Sequence, residues 1–73
     1  MKRVVYQGYI DSDFEGFDDE VLFKMDNGTY WLQSQYYYWY HYEYRPEALI
    51  TEEKGQYILT VAGESIPVIQ IYY

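Results

Sequence analysis

The sequence predicts an all-β fold: a single small antiparallel β-barrel or roll, SH3-like or OB-like, with about five to six strands over residues 1–73. Three observations lead to this prediction. Apolar and polar residues alternate with period two along most of the chain. Aromatic residues, which favour strands, make up 23% of the sequence. The five glycines occur singly at turn spacing, as a series of short strands requires.

The first predicted strand covers residues 3–10. Regular alternation places Val4, Tyr6 and Ile10 on one face of it. Gly8 lies inside this strand, where an isolated glycine is typical of a β-bulge or a sharp bend. We therefore expect a bulge or a sharp bend of this strand at Gly8.

Residues 11–20 are predicted to form a long acidic loop. This segment holds six acidic residues and no basic one, half of the twelve acids in a chain of net charge −7. Phe14 and Phe17 are expected to turn inward and fasten the loop to the core. The opening Asp-x-Asp-x-Glu-Gly resembles a calcium loop, but Leu22 stands where that loop needs a bidentate glutamate, so no metal site is predicted.

A hairpin is predicted around Asp26-Asn27-Gly28, between the strands 21–25 and 29–33. Asn and Gly tolerate the positive φ that tight hairpin turns require. A two-residue loop at Asn27-Gly28 would pair Lys24 with Trp31. A three-residue loop with Gly28 as the bulge would shift this pairing by one residue. The sequence leaves both registers open.

The following strand segment, residues 35–45, carries a tyrosine at every second position. In a strand these side chains share one face, opposite Tyr37, Trp39 and His41. Such a row would extend roughly 26 Å, long for one strand, so we expect a bend near residues 34–36 or mid-segment. Burying Trp39 removes the most apolar area from water, which predicts the even-numbered side as the exposed one. The row consists of Tyr36, Tyr38, Tyr40, Tyr42 and Tyr44.

The last third of the chain is predicted to supply two or three more strands. Pro46 ends the tyrosine segment, because proline has no N–H for a ladder. Residues 46–55 also fit a short helix, but we favour a strand over 48–51 followed by a turn. Strands 56–61 and 66–72 then form a closing hairpin around residues 62–65. Pro67 is expected at a sheet edge or a bulge.

Three short motifs resemble those of a small uncharacterised bacterial β-barrel domain. They are Ile10-Asp11-x-x-Phe14-Glu15-Gly16-Phe17, Phe23-Lys24-x-x-Asn27-Gly28-x-x-Trp31-x-Gln33 and Tyr38-x-Tyr40-x-Tyr42-x-Tyr44-Arg45-Pro46. The resemblance covers residues 9 to 73 and implies a barrel fold without any known activity. The denser run Tyr36-Tyr37-Tyr38 departs from that pattern and suggests an additional contact surface.

Several function classes lack support in the sequence. Without cysteine there is no thiolate chemistry and no disulfide, so a reducing cytoplasm is the expected compartment. His41 is the single histidine, and the serines show no nucleophile motif, so neither an enzyme nor a cofactor is predicted. No apolar run reaches membrane-helix length, and no export signal is readable. The acidic charge argues against direct binding of nucleic acid.

The sequence therefore favours a non-enzymatic protein-binding module. Tyrosine is enriched at interface hot spots, although packing between strands would also explain the row. A partner with a basic surface would suit the acidic residues. The alternative is an acidic, phage-type inhibitor that mimics nucleic acid, as anti-restriction and anti-CRISPR proteins do, and a third interpretation is a homodimer held by aromatic residues. The predicted contact residues are the five tyrosines of the row with Asp11, Asp13, Asp18 and Asp19.

Overall fold

The computed structural model describes residues 2–72, and within this range every regular element is a β-strand. The predicted all-β class is confirmed, with eight strands in the described part of the chain where about six were expected. No helix in that range is long and apolar enough to cross a membrane. The strands are β1 Arg3–Tyr9, β2 Asp13–Phe17, β3 Leu22–Lys24, β4 Tyr30–Gln33, β5 Trp39–Tyr44, β6 Glu47–Glu53, β7 Gln56–Val61 and β8 Glu64–Ile71.

The strands form two antiparallel sheets. The larger sheet has the order β1-β6-β7-β8-β4-β3, and the smaller sheet pairs β2 with β5. The outer strands of the larger sheet approach each other, because Ile10 and Met25 form an isolated bridge just beyond β1 and β3. The asparagine-glycine hairpin is thereby held against the end of the first strand.

Both sheets contribute to one hydrophobic core. Phe14 and Phe17 of β2 contact Phe23 of β3, with ring centroids 6.1 and 6.0 Å apart. On the other side of the core, Trp31 meets Tyr57 edge to face at 5.2 Å. The phenylalanine contacts hold the two-stranded sheet against the six-stranded one, whereas the Trp31–Tyr57 contact joins β4 and β7 within the larger sheet. The buried hydrophobic residues are Ile10, Phe14, Phe17, Phe23, Met25, Trp31, Ala48, Ile50, Leu59, Val61, Ile66 and Val68.

The acidic segment is not the continuous loop that its composition suggested. Asp13–Phe17 form β2, while the inward orientation expected for Phe14 and Phe17 is confirmed. Burial of these two rings and pairing with β5 outweigh the low strand propensity of the acidic residues. Gly16 has a φ of 98° and lies where a Cβ would collide with the Trp39 carbonyl group. Only glycine fits this close approach of the two strands.

The first strand has its bulge at another position than predicted. The pairing of β1 with β6 shifts between Val4 and Tyr6, not at Gly8. The extra residue, Val5, packs against the core, and Val4 is exposed, so the expected shared face of Val4 with Tyr6 and Ile10 is wrong. Gly8 is instead covered by the Tyr6 ring, which occupies the space of a Cβ.

The hairpin between β3 and β4 is confirmed, and the structure selects the three-residue loop. Phe23 pairs with Trp31 and Lys24 with Tyr30. The amide of Gly28 donates to the Met25 carbonyl at 3.0 Å, and Gly28 has a φ of 88°. This is the bulged turn in which glycine occupies the left-handed position.

The tyrosine segment is shorter as a strand than the sequence indicated. The chain leaves the ladder after Gln33 and β5 begins at Trp39, so residues 34–38 form a connection. The expected bend therefore takes up five residues. Pro46 follows the end of β5 as predicted, and Arg45 before it has a positive φ of 49°.

The ambiguous residues 46–55 form a strand, as favoured, and it is longer than predicted. The closing hairpin is also confirmed, but Val61 pairs with Glu64, so its loop has two residues instead of four. The expected position of Pro67 at a sheet edge or a bulge is wrong, because Pro67 lies in β8, which is interior to the sheet, and the pairing there is regular. The Pro67 carbonyl accepts from the Ser34 amide, just beyond the end of β4. The N–H that proline lacks would point the same way, to a place where β4 has already ended, so the ladder between β4 and β8 loses no bond.

Candidate functional site

Strand β5 separates its side chains into a core side and an outer side. Trp39 is partly buried, packs against Phe17 at a centroid distance of 5.3 Å, and stacks on His41 at 5.1 Å. Tyr40, Tyr42 and the rest of the even-numbered row are exposed. The predicted exposure of the even-numbered side is confirmed, although Trp39 is only partly buried and Tyr37, which was expected on the Trp39 side, is 43% exposed.

The exposed row is called the tyrosine surface below. Its members are between 52% and 67% exposed, far more than core tyrosines would be. Three members lie on β5 and two in the connection that leads into it. Such a concentration of exposed rings on one small domain is uncommon for a surface that contacts only water. The members are Tyr36, Tyr38, Tyr40, Tyr42 and Tyr44.

A buried glutamine holds the connection in place. Gln33 is 1% exposed, and its amide group makes three hydrogen bonds to the backbone. Its Oε1 accepts from the Asp18 amide at 3.1 Å, while its Nε2 donates to the carbonyls of Asp18 and Gln35 at 2.6 and 2.9 Å. The backbone amide of Tyr37 also donates to the Asp18 carbonyl, at 3.2 Å. The end of β2 and the start of the tyrosine surface are thus fixed to one side chain.

Strand β2 places acidic groups beside the tyrosine surface. Asp13 and Glu15 are exposed and alternate with the buried Phe14. The Tyr42 hydroxyl donates to Asp13 Oδ1 at 3.0 Å. This hydrogen bond, assisted by burial and by the charges of Asp13 and Glu15, raises the pKa of Tyr42 above its ordinary value. Tyr42 therefore stays a neutral hydrogen-bond donor held by a carboxylate.

The other predicted acidic contacts lie in different surroundings. Asp11 is bound by two cations, Arg45 Nη2 at 3.1 Å and Lys24 Nζ at 3.8 Å, so its charge is balanced. Asp18 and Asp19 follow β2 and have exposed side chains. Among the predicted acids, Asp13 is hydrogen-bonded to the tyrosine surface through Tyr42. Asp11 instead links the end of β3 to the end of β5 through Lys24 and Arg45.

Sequence reasoning missed Tyr37 and Glu15 as neighbours of this surface. The Tyr37 hydroxyl donates to Glu64 Oε1 at 2.9 Å, and this bond together with the Glu64 charge raises the pKa of Tyr37. No pattern in the sequence connects residues that far apart. Glu15 could have been found from its alternation with Asp13, had the acidic segment been interpreted as a strand.

The groups exposed at the site are aromatic rings, phenolic hydroxyls and carboxylates. Within residues 2–72, no three histidine, cysteine, aspartate or glutamate side chains are placed to share a metal ion. His41 Nε2 lies 3.2 Å from Glu43 Oε1 while its ring stacks on Trp39, so both of its contacts are with its own strand.

No family model, curated protein or solved structure matches this chain.

Proposed function

We propose that this chain is a non-enzymatic protein-binding module whose contact site is the tyrosine surface together with its acidic neighbours. The observation that carries the proposal is the exposure of all five tyrosines, with Tyr40, Tyr42 and Tyr44 on the strand that pairs with β2 and its carboxylates. Tyrosine supplies a large contact area with few rotatable bonds, so little conformational entropy is lost on binding. Aromatic side chains with a polar end are also enriched among the residues that dominate interface energies.

The supporting structure keeps this surface ordered before binding. Trp39 anchors β5 to the core, and Asp13 restrains the Tyr42 hydroxyl. Gln33 secures the connection that carries the first two tyrosines of the surface. A surface ordered in this way avoids part of the entropy cost of association.

The charges favour a partner with a basic surface. Within residues 2–72, no ion pair involves Asp13, Glu15, Asp18 or Asp19. Carboxylates that are not neutralised within the molecule attract a basic surface and speed its encounter. Asp11 is neutralised already and contributes less to this attraction.

The proposal includes a small barrel of the SH3-like or OB-like kind as the scaffold. The Ile10–Met25 bridge supports it, since it brings the outer strands of the six-stranded sheet together. The resemblance to the bacterial barrel domain also favours this architecture. Because the chain has no cysteine, the reducing cytoplasm is the compartment we propose.

Alanine variants of Tyr42 and Tyr44 test the proposal. A partner enriched from extracts with the unmodified chain is purified, and its affinity is measured for each variant. We expect at least one variant to bind roughly 30-fold more weakly, the effect of a hot-spot side chain. Tyr72→Ala is the matched control, because Tyr72 is exposed outside β5. Equal affinities for the Tyr42, Tyr44 and Tyr72 variants would exclude the tyrosine surface as the contact site.

A second candidate is an acidic inhibitor of a nucleic-acid-binding complex, of the phage anti-CRISPR or anti-restriction type. The observation that favours it is that Asp13 and Glu15 lie on an extended strand, which spaces them about 6.6 Å apart along the chain. Such an inhibitor competes with nucleic acid for its target, so added duplex DNA would displace it. A partner that binds DNA and this chain simultaneously would exclude the mimic.

A further inference from the structure

A groove lies between β2 and β3, which are edge strands of different sheets. Its volume is about 400 Å³, within the range of roughly 300–1,000 Å³ that is usual for ligand sites. The phenyl rings of Phe14, Phe17 and Phe23 line it from the core side. Asp13 and Glu15 line it from the exposed side. The groove is apolar at its base and acidic at its opening.

At its Leu22 end, the β3 edge presents backbone groups without a strand partner to this groove, whereas at the other end the Lys24 carbonyl accepts from the Asp11 amide at 2.8 Å. The Val21 carbonyl accepts from the Gln33 amide, and the Met25 amide donates to the Thr29 carbonyl, so the odd-numbered residues of this strand pair with β4. Backbone groups alternate in direction along a strand, which turns those of Leu22 toward the opposite side. Leu22 lines the groove, and no strand within residues 2–72 pairs with it there.

The β2 edge is arranged in the same way. The Ser12 carbonyl accepts from the Arg45 amide at 3.0 Å, so the backbone of Ser12 faces β5. The backbone groups of Asp13 therefore face away from β5, toward the side on which the sheet ends. The Asp13 carbonyl accepts from the Ser12 hydroxyl at 3.2 Å, but no strand within residues 2–72 pairs with this edge, and such an edge is a template for an added strand.

The charge around the groove selects the occupant. Asp13, Glu15 and Asp18 line it and take part in no ion pair among the described residues. The two cations beyond its end, Lys24 and Arg45, are both directed at Asp11. A basic segment is therefore attracted and an acidic one is repelled.

We propose that the groove binds an extended basic segment of a partner protein, which adds as a β-strand against the β2 edge or the Leu22 end of the β3 edge. Alternate side chains of the segment enter the apolar base, and the intervening lysines or arginines meet the carboxylates. This inference rests on the proposed protein-binding function and names the kind of segment that is bound. Tyr38 and Tyr40 also line the groove, so it is continuous with the tyrosine surface.

The test titrates the full chain with a short capped peptide of alternating lysine and valine. Amide chemical shifts are followed by nuclear magnetic resonance. We expect saturable shifts at Leu22 and Asp13 and none at Gly55, which lies in the turn between β6 and β7. A peptide of alternating glutamate and valine should bind at least about ten-fold more weakly, because like charges then face each other.

Two comparisons isolate strand addition from simple charge attraction. Methylating the peptide nitrogens that face the edge removes the ladder donors while the lysines remain, and should weaken binding at least about five-fold. Leu22→Pro removes an N–H from the outer edge of β3 without affecting the ladder to β4, so it should weaken binding of the peptide. Leu22→Ala is its control. If the proline variant does not fold, the methylated peptide decides alone.

The inference is overturned if the lysine-valine peptide does not bind at millimolar concentration, or if the methylated peptide binds equally well. Either result leaves the proposed function intact as long as the Tyr42 and Tyr44 variants lose affinity for the partner. Conversely, peptide binding at Leu22 combined with partner binding that is indifferent to Tyr42 and Tyr44 would refute the tyrosine surface and retain the groove.

Discussion

Replacing Gln33 by leucine should destabilise the domain and loosen its candidate site at the same time. Leucine fills a similar volume but cannot make any of the three hydrogen bonds that the buried amide forms. The substitution leaves the Asp18 amide and the Gln35 carbonyl without their side-chain partner at a part-buried position. The change therefore separates the polar role of this residue from its packing role.

The expected loss follows from those three bonds. Each bond contributes about 1 kcal/mol net, so the loss of all three should lower the free energy of unfolding by about 3 kcal/mol. The cost of about 1–3 kcal/mol for leaving one backbone group unpaired is of the same size. A domain of 73 residues has roughly 4–11 kcal/mol of stability in all. For a chain of this size the loss lowers Tm by about 12 °C or more.

Urea unfolding followed by tryptophan fluorescence measures this loss, and hydrogen exchange locates it. The Asp18 amide should exchange much faster in the variant, since its acceptor is gone. Gln7→Leu is the matched control, because Gln7 has an exposed side chain on β1 and its replacement should change stability by less than about 0.5 kcal/mol. If Gln33→Leu lowers the free energy of unfolding by less than about 1 kcal/mol, or if the Asp18 amide remains protected from exchange, the Gln33 side chain does not hold residues 34–38 in place.

Three further predictions concern the site strand and its supports. Trp39→Ala should cost about 3 kcal/mol in chemical denaturation, the lower end for a large aromatic, because the ring is partly exposed; a loss below 1 kcal/mol would show that β5 is not anchored through Trp39. Ala62→Asn should raise Tm by about 3–6 °C in calorimetry, because Ala62 has a φ of 52° in a tight hairpin turn that asparagine tolerates better; an unchanged Tm would mean that the turn is not strained. Asp13→Asn should lower the pKa of Tyr42 toward its ordinary value in a resonance titration. The Asp13 bond favours the protonated phenol in the folded state, so its stabilising effect is present below the ordinary tyrosine pKa and is lost as pH rises through the raised one; an unmoved pKa would contradict this assignment.

The turns and the orientation of the tyrosine row were predictable because their causes are local. Asn27-Gly28 specifies a hairpin within a few residues, and Pro46 ends its strand by lacking an N–H. The exposure of the even-numbered tyrosines followed from alternation and the size of Trp39, both of which are properties of one short segment. The register of this hairpin depends on a contact between distant segments, because the observed register places Met25 opposite Ile10 at the end of the first strand.

Long-range pairing decided what the sequence alone left open. Asp13–Phe17 is a strand because β5, distant in sequence, supplies its ladder and the core receives Phe14 and Phe17, so acidic composition was a poor guide there. The role of Gln33 arises only when the end of β2 lies beside β4, which makes an ordinary polar residue a buried hydrogen-bonding partner of the backbone.

The sequence by itself determined the all-β class, its turns and the exposed tyrosine row, because local propensity and alternation act within single segments. The tertiary structure decided the pairing of β2, the neutralisation of Asp11 and the groove between the two sheets, because these depend on contacts between segments that only the folded chain brings together.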